Sequence, residues 1–323
     1  MKHRVALPVL LAVLSAATTA HSQNYPDRPI RVLTAQSAGS SLDTIARIVT
    51  ARLSDQLGQQ LVVDNRGGAA GTIALEIGAR AAPDGYTMIV AGSSAMVVSR
   101  FTYKKLAFDA FKDFDAISLF ANADGLLVVH PSVKAKSVKD LLALARAQPG
   151  KLNMASAGIG SSSHLSGLMF VNLSGINTVH VPYKGGGPMA ASVVAGESHW
   201  AIGPAAALMG HVKAGRMRVL AITSSARSPL LPELPTVAES GVPGYEFSSW
   251  NGFFAPKGMS RPLIKTWHSA IQKALATPEV KTQYANQGML PTGSASPEAF
   301  EKVVRADFER FGKLVKLAGI KPE

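Results

Sequence analysis

Short β-branched runs alternate with helical patterns along most of this chain, and that alternation limits the fold more than any other feature of the sequence. Residues 29–34, 60–63, 86–90, 125–129, 152–155, 178–181, 200–202 and 218–222 read as strands, and 43–57, 72–80, 137–147, 163–174, 188–195 and 205–214 read as helices between them. The first helix is the clearest, with Ile45, Ile48, Val49, Leu53 and Leu57 on one face and Asp43 placed to cap it. Strands that alternate with helices fold as parallel, doubly wound α/β sheets. Two apolar runs, 114–120 and 246–254, break the rhythm and read as long strands passing between two lobes. After the second the chain turns helical (261–276, 279–287, 297–316), which suits helices packing back on the first lobe. The expected division is 23–122 for the first part of lobe 1, 123–225 for lobe 2 and 226–323 for the return to lobe 1.

The N-terminus has its own pattern. Lys2, His3 and Arg4 precede the apolar run Val5 to Leu14, and Ala20 and Ser22 follow at a small-x-small spacing. This is the three-part pattern of a secretory signal peptide over 1–22, with an apolar stretch too short to span a bilayer. It implies export to the periplasm. The chain has no cysteine, which excludes a lipid-anchored N-terminal cysteine, disulfides and thiolate-held metal sites. The formal charge of +12 includes Lys2 and Arg4; loss of 1–22, which hold no Asp or Glu, leaves +10. The basic residues are scattered, with no run longer than Lys104-Lys105, so no nucleic-acid partner is indicated. A surface of this sign raises the local concentration of small anions.

Four loops share one composition and one place, after a strand and before a helix. They are Gln36-Ser-Ala-Gly-Ser-Ser-Leu-Asp43, Gly92-Ser-Ser-Ala95, Ser156-Ala-Gly-Ile-Gly-Ser-Ser-Ser-His164 and Tyr183-Lys-Gly-Gly-Gly-Pro188. Open α/β sheets bind ligands outside the carboxyl ends of their strands. Helix N-termini there offer unpaired N–H groups and partial positive charge to an anion, glycine lets the backbone approach, and serine adds donors. The candidate ligand-binding residues are Gln36, Ser37, Gly39, Ser40, Ser41, Ser93, Ser94, Ser156, Ala157, Gly158, Gly160, Ser161, His164, Tyr183, Lys184, Gly185 and Gly203. About four hydrogen bonds to a charged group, at ~1.5–3 kcal/mol each, reach the roughly −8 kcal/mol of micromolar binding after the cost of immobilisation.

Catalytic motifs are sparse. The chain lacks a Gly-x-Ser-x-Gly elbow, a Gly-Lys-Ser/Thr phosphate loop, a complete Gly-x-Gly-x-x-Gly and any His-x-x-x-His pair. A triad of Ser161, His164 and Asp43 has no support in their spacing. The reading is a binding protein rather than an enzyme, with no cofactor or metal implied; a secreted serine/histidine hydrolase is the competing class.

Eight segments in order carry a family resemblance: Tyr25-Pro-Asp-Arg-Pro-Ile-Arg31, Val63-Asp-Asn-Arg66, Ala81-Ala-Pro-Asp-Gly-Tyr-Thr87, Ala155-Ser-Ala-Gly-Ile-Gly-Ser-Ser-Ser-His164, His180-Val-Pro-Tyr-Lys-Gly-Gly186, His211-Val-Lys-Ala-Gly-Arg216, Leu234-Pro-Thr-Val-Ala-Glu239 and Phe254-Ala-Pro256. Over nearly its whole mature length the chain resembles the substrate-binding proteins of tripartite tricarboxylate transporters, the Bug family. The resemblance implies a type II-like periplasmic-binding-protein fold, two α/β lobes hinged near 121–126 and 223–227 that close on a carboxylate held by the four loops. On this reading the protein is a monomer that meets the membrane subunits of such a transporter; a competing reading, a ligand-presenting input to a sensor kinase, differs only in the partner. Two departures stand out. Ser37-Ala-Gly-Ser40 replaces the family's Pro-Pro-Gly-Gly turn, and Ile202-Gly203 replaces its Phe-Asp. The missing aspartate points to a ligand without a cationic amine, and Gly203 to extra room for a bulkier one.

Overall fold

A computed structural model describes residues 25–317 and 319–322. The signal-peptide reading of 1–22 lies outside the described residues. The chain begins with β1 (Ile30–Thr34), α1 (Ser41–Leu57), β2 (Leu61–Asn65), α2 (Thr72–Ala79) and β3 (Thr87–Gly92). A π-helical turn at Ser94–Val98 runs into α3 (Ser99–Thr102), and β4 (Phe114–Val129) follows. Next come α4 (Val138–Ala147), β5 (Asn153–Ser156), α5 (Ser162–Ser174), β6 (Val179–Pro182), α6 (Gly186–Val194), β7 (Trp200–Pro204), α7 (Ala205–Lys213) and β8 (Arg218–Ile222). The chain closes with β9 (Ser248–Pro256), α8 (Arg261–Ala276), α9 (Pro278–Asn286) and α10 (Pro297–Leu317). No helix among the described residues is long and apolar enough to cross a membrane.

The strands run in the order β2-β1-β3-β9-β4-β7-β5-β6, with β8 on β4. β2, β1 and β3 are mutually parallel, as are β6, β5 and β7. These two parallel sets are the halves of a two-lobed α/β fold, and β4 and β9 join them as antiparallel strands. β4 pairs with β9 from Phe114 to Asp124, then with β7 and β8 from Gly125 onward. At that change of partner Gly125 N–H donates to Thr223 Oγ1 (2.7 Å), and Phe247 N–H donates to the Thr223 carbonyl (2.9 Å). The segments that cross between the halves are therefore tied at one point. Residues 114–120 and 125–129 read separately from sequence but form one strand, because 121–124 pair with β9 despite their low strand propensity.

Period-two alternation gives the sheet two apolar faces. Leu33, Ile89, Ala91 and Phe254 pack on one, and Val32, Met88, Val90 and Phe253 on the other. α1 lays Leu42, Ile45, Ala46, Val49 and Leu53 on the second face, while Ile48 and Leu57 are only half-buried. Its cap is Ser40, not Asp43: Ser40 Oγ accepts the Asp43 N–H, and Asp43 sits in the first turn. α8 packs on α1 and β4, and α10 on β4 and the π-helical turn, so the C-terminal helices return to the N-terminal half.

Candidate functional site

The first loop is shaped by Asp43, which is 3% exposed. Its carboxylate accepts from Gly39 N–H (2.8 Å), Asn65 Nδ2 (2.9 Å) and Arg47 Nε (2.9 Å), and Asn65 also donates to the Gln36 carbonyl (3.1 Å). Burial pushes the carboxyl up, but hydrogen bonds from Arg47, Gly39 and Asn65 outweigh it and hold Asp43 below the usual carboxylate range. The loop is thereby fixed with Gln36 and Ser41 in a cavity wall, while Ser37 and Gly39 face solvent and Ser40 caps the helix.

The third and fourth loops use most of their polar groups on one another. Ser156 Oγ pairs with His180 Nε2 (2.7 Å) and accepts from Gly158 N–H (3.2 Å). Ser161 Oγ donates to the Gly158 carbonyl (2.6 Å) and caps α5 by accepting from His164 N–H (3.2 Å). Ser163 Oγ accepts from Ala157 N–H (2.8 Å), and Gly160 N–H donates to His164 Nδ1 (3.1 Å). The His164 and His180 rings stack at 4.1 Å. Burial, helped by His180, lowers the His164 pKa to about 4, so the ring is neutral and its Nδ1 free to accept. Tyr183 and Gly185 donate their N–H groups to the Ser156 and Ala157 carbonyls, and the Tyr183 hydroxyl pairs with Ser198 (3.2 Å). Ser156, Ala157, Gly158, Gly160, Ser161, His164, Tyr183 and Gly185 thus brace the loops rather than line the cavities, and Lys184 is exposed.

Two adjoining cavities share Ala123, Ser162 and Pro204. Of the residues expected from sequence, Gln36, Ser41, Ser93 and Ser94 reach the larger and Gly203 the smaller. Sequence reasoning missed Ser162, the first residue of α5, and Ser249, Trp250 and Asn251 on β9. The signal for the latter three was a polar Ser-Ser-x-Asn patch inside an otherwise apolar run. α1 and α5 both bring their first residue to the cavity, and their unpaired terminal N–H groups suit a negative charge. No residue lining either cavity carries a formal charge. The arrangement can therefore hold an anion by dipoles and hydroxyls.

Gly203 lines the smaller cavity, and on its other side a Cβ would lie 2.7 Å from Met189 Cε, the end of a flexible side chain. Ser161, His164 and Asp43 form no triad, in keeping with their spacing: His164 Nδ1 accepts from Gly160 and Asp43 is held by Gly39, Arg47 and Asn65. Ser156 and His180 do pair, but Ser156 is fully buried and lines neither cavity.

Known proteins agree with this architecture. Residues 45–320 match the TctC model, described as tripartite tricarboxylate transporter family receptor. The chain is 36% identical to the UPF0065 protein in the tcbD-tcbE intergenic region of a Pseudomonas species, over 97% of this chain and 94% of that one. It is 32% identical to protein BugT of Bordetella pertussis, over 97% and 96%. Among solved structures, R. palustris Rpa4515 with adipate superposes with a TM-score of 0.89 at 34% identity, covering 93% of this chain and 100% of that one. MatC from Rhodopseudomonas palustris with bound malate gives 0.82 at 29% identity, covering 90% and 100%. The chain belongs to the TctC family of tripartite tricarboxylate transporter receptors, two-lobed periplasmic solute-binding proteins rather than enzymes.

Proposed function

We propose that this protein captures a small organic carboxylate between its two halves and delivers it to the membrane subunits of a tripartite tricarboxylate-type transporter. The observation that carries the reading is the uncharged cavity onto which the N-termini of α1 and α5 converge, with Ser41, Ser93, Ser94 and Ser162 in its wall. Relatives solved with adipate and malate support the ligand class. The ligand carries no cationic amine, since no aspartate or glutamate lines the cavity to receive one. Residues 1–22 direct export and are removed. Residues 23–122 and 226–323 form one lobe and 123–225 the other, and the protein works as a monomer. The lobes close by bending where β4 changes partner and near 223–227.

Thermal denaturation against mono-, di- and tricarboxylates, amino acids and sugars tests this. A ligand at 100 times its Kd adds ~2.7 kcal/mol to stability, enough for a clear rise in Tm. Stabilisation by carboxylates, with the ligand recovered unchanged, is the expected result. Stabilisation only by amino acids or sugars would sink the proposal.

A further inference from the structure

Asn251 brings to the cavity wall a side-chain amide that can donate and accept at once. It stands on β9, in register with Gly92 on β3 and Ala121 on β4. The residue is 8% exposed, yet its side-chain amide makes no hydrogen bond among the described residues. The amide opens into the cavity, so an occupant that displaces water from it has to replace that water's hydrogen bonds. Its neighbours on β9 are already engaged. Ser249 Oγ donates to the Ala123 carbonyl (3.2 Å), and Trp250 Nε1 donates to Asp307 Oδ2 (2.7 Å). Gly92 makes the placement fit, because a Cβ there would lie 2.9 Å from Asn251 Oδ1.

The chemistry of the amide narrows what it can read. A carboxylate only accepts and an ammonium only donates, whereas a primary amide does both and matches a hydroxyl, which also does both. The helix starts at Ser41 and Ser162 already suit the carboxylate. We propose that Asn251 is a specificity-determining residue that reads a hydroxyl on the ligand's carbon skeleton, making the ligand class hydroxycarboxylates. This rests on the reading of the cavity as a carboxylate site.

Titration calorimetry with matched probes tests it: malate, succinate and aspartate; 2-hydroxyadipate and adipate; mandelate and phenylacetate. In the unmodified protein a hydroxylated probe binds at least about tenfold more tightly than its unsubstituted and amino partners. In Asn251→Leu that preference falls below about threefold, while the unsubstituted partner stays within about threefold of its original affinity. Gly92→Ala, which crowds the amide without removing it, shows the same collapse and carries the test should Asn251→Leu not fold. Absence of a hydroxyl preference in every set, or a preference that survives both variants, overturns the assignment and leaves the carboxylate reading standing. Binding of no carboxylate at all overturns both.

Discussion

Acidification should weaken this protein well above the pH at which its carboxylates protonate, and His164 is the main cause. The ring is 5% exposed, stacked on His180, and its pKa is lowered to about 4 by burial and by His180. In the unfolded chain a histidine titrates near 6.5, so between about pH 6.5 and 4 the unfolded state holds a proton that the native state does not. His164 therefore contributes stability that is full above pH 6.5 and is lost as pH falls through that window. At pH 5 the loss from this one group is about 2 kcal/mol, rising to about 3 kcal/mol near pH 4. Burial also lowers the His180 pKa, so that ring acts in the same direction. Asp43 and Asp64, both held below the usual carboxylate range, keep their stabilising ionised form until the pH nears 4 and leave the window clear.

The control is His164→Asn, whose side-chain oxygen can still accept from Gly160 N–H but does not titrate. Urea unfolding of the ligand-free protein at pH 7.5 and pH 5 gives the comparison. The unmodified protein should lose about 2 kcal/mol more than His164→Asn between the two. If the two stabilities fall in parallel, His164 is not the group responsible and its neutral, accepting role in the loop is wrong.

Other perturbations separate stability from binding. Ser162→Asp puts a negative charge at the first residue of α5, which favours the helix by about 0.3–1 kcal/mol but opposes a carboxylate about 4 Å away by roughly 4 kcal/mol. Calorimetry should show loss of carboxylate binding while the ligand-free Tm holds or rises; retained affinity would place the anion elsewhere. Gly203→Ala should cost less than about 1 kcal/mol in denaturant titration, because its Cβ meets only the flexible end of Met189, and a larger loss would mean that this methionine cannot yield. Asp124, beside the partner change in β4, has its pKa raised by burial and by Glu246 despite the hydrogen bond from Ser248. A carboxyl raised in the folded state stabilises fully below the unfolded pKa and loses that contribution as pH rises through the folded one. Asp124→Asn should therefore raise Tm at pH 7.5 by more than at pH 4, and an equal shift at both would refute the assignment.

The two-lobed α/β architecture was legible because each strand and helix shows its period locally, as α1 does through Ile45, Val49 and Leu53. Elements set by distant partners were not. Residues 121–124 become strand only through β9, more than 120 positions away, and the β-branched pair Val97-Val98 lies in a π-helical turn packed beneath α10. The candidate site divides along the same line. Composition can mark Ser156 and Ser162 as equivalent loop serines, but it cannot say that His180 on the next strand takes the hydroxyl of Ser156 while that of Ser162 faces the cavity. Searching loops alone also passes over Asn251, since a strand crossing between two lobes presents one of its faces to the cleft. A polar residue inside an apolar crossover strand is the better sequence signal, because burial there is costly unless something pairs with it.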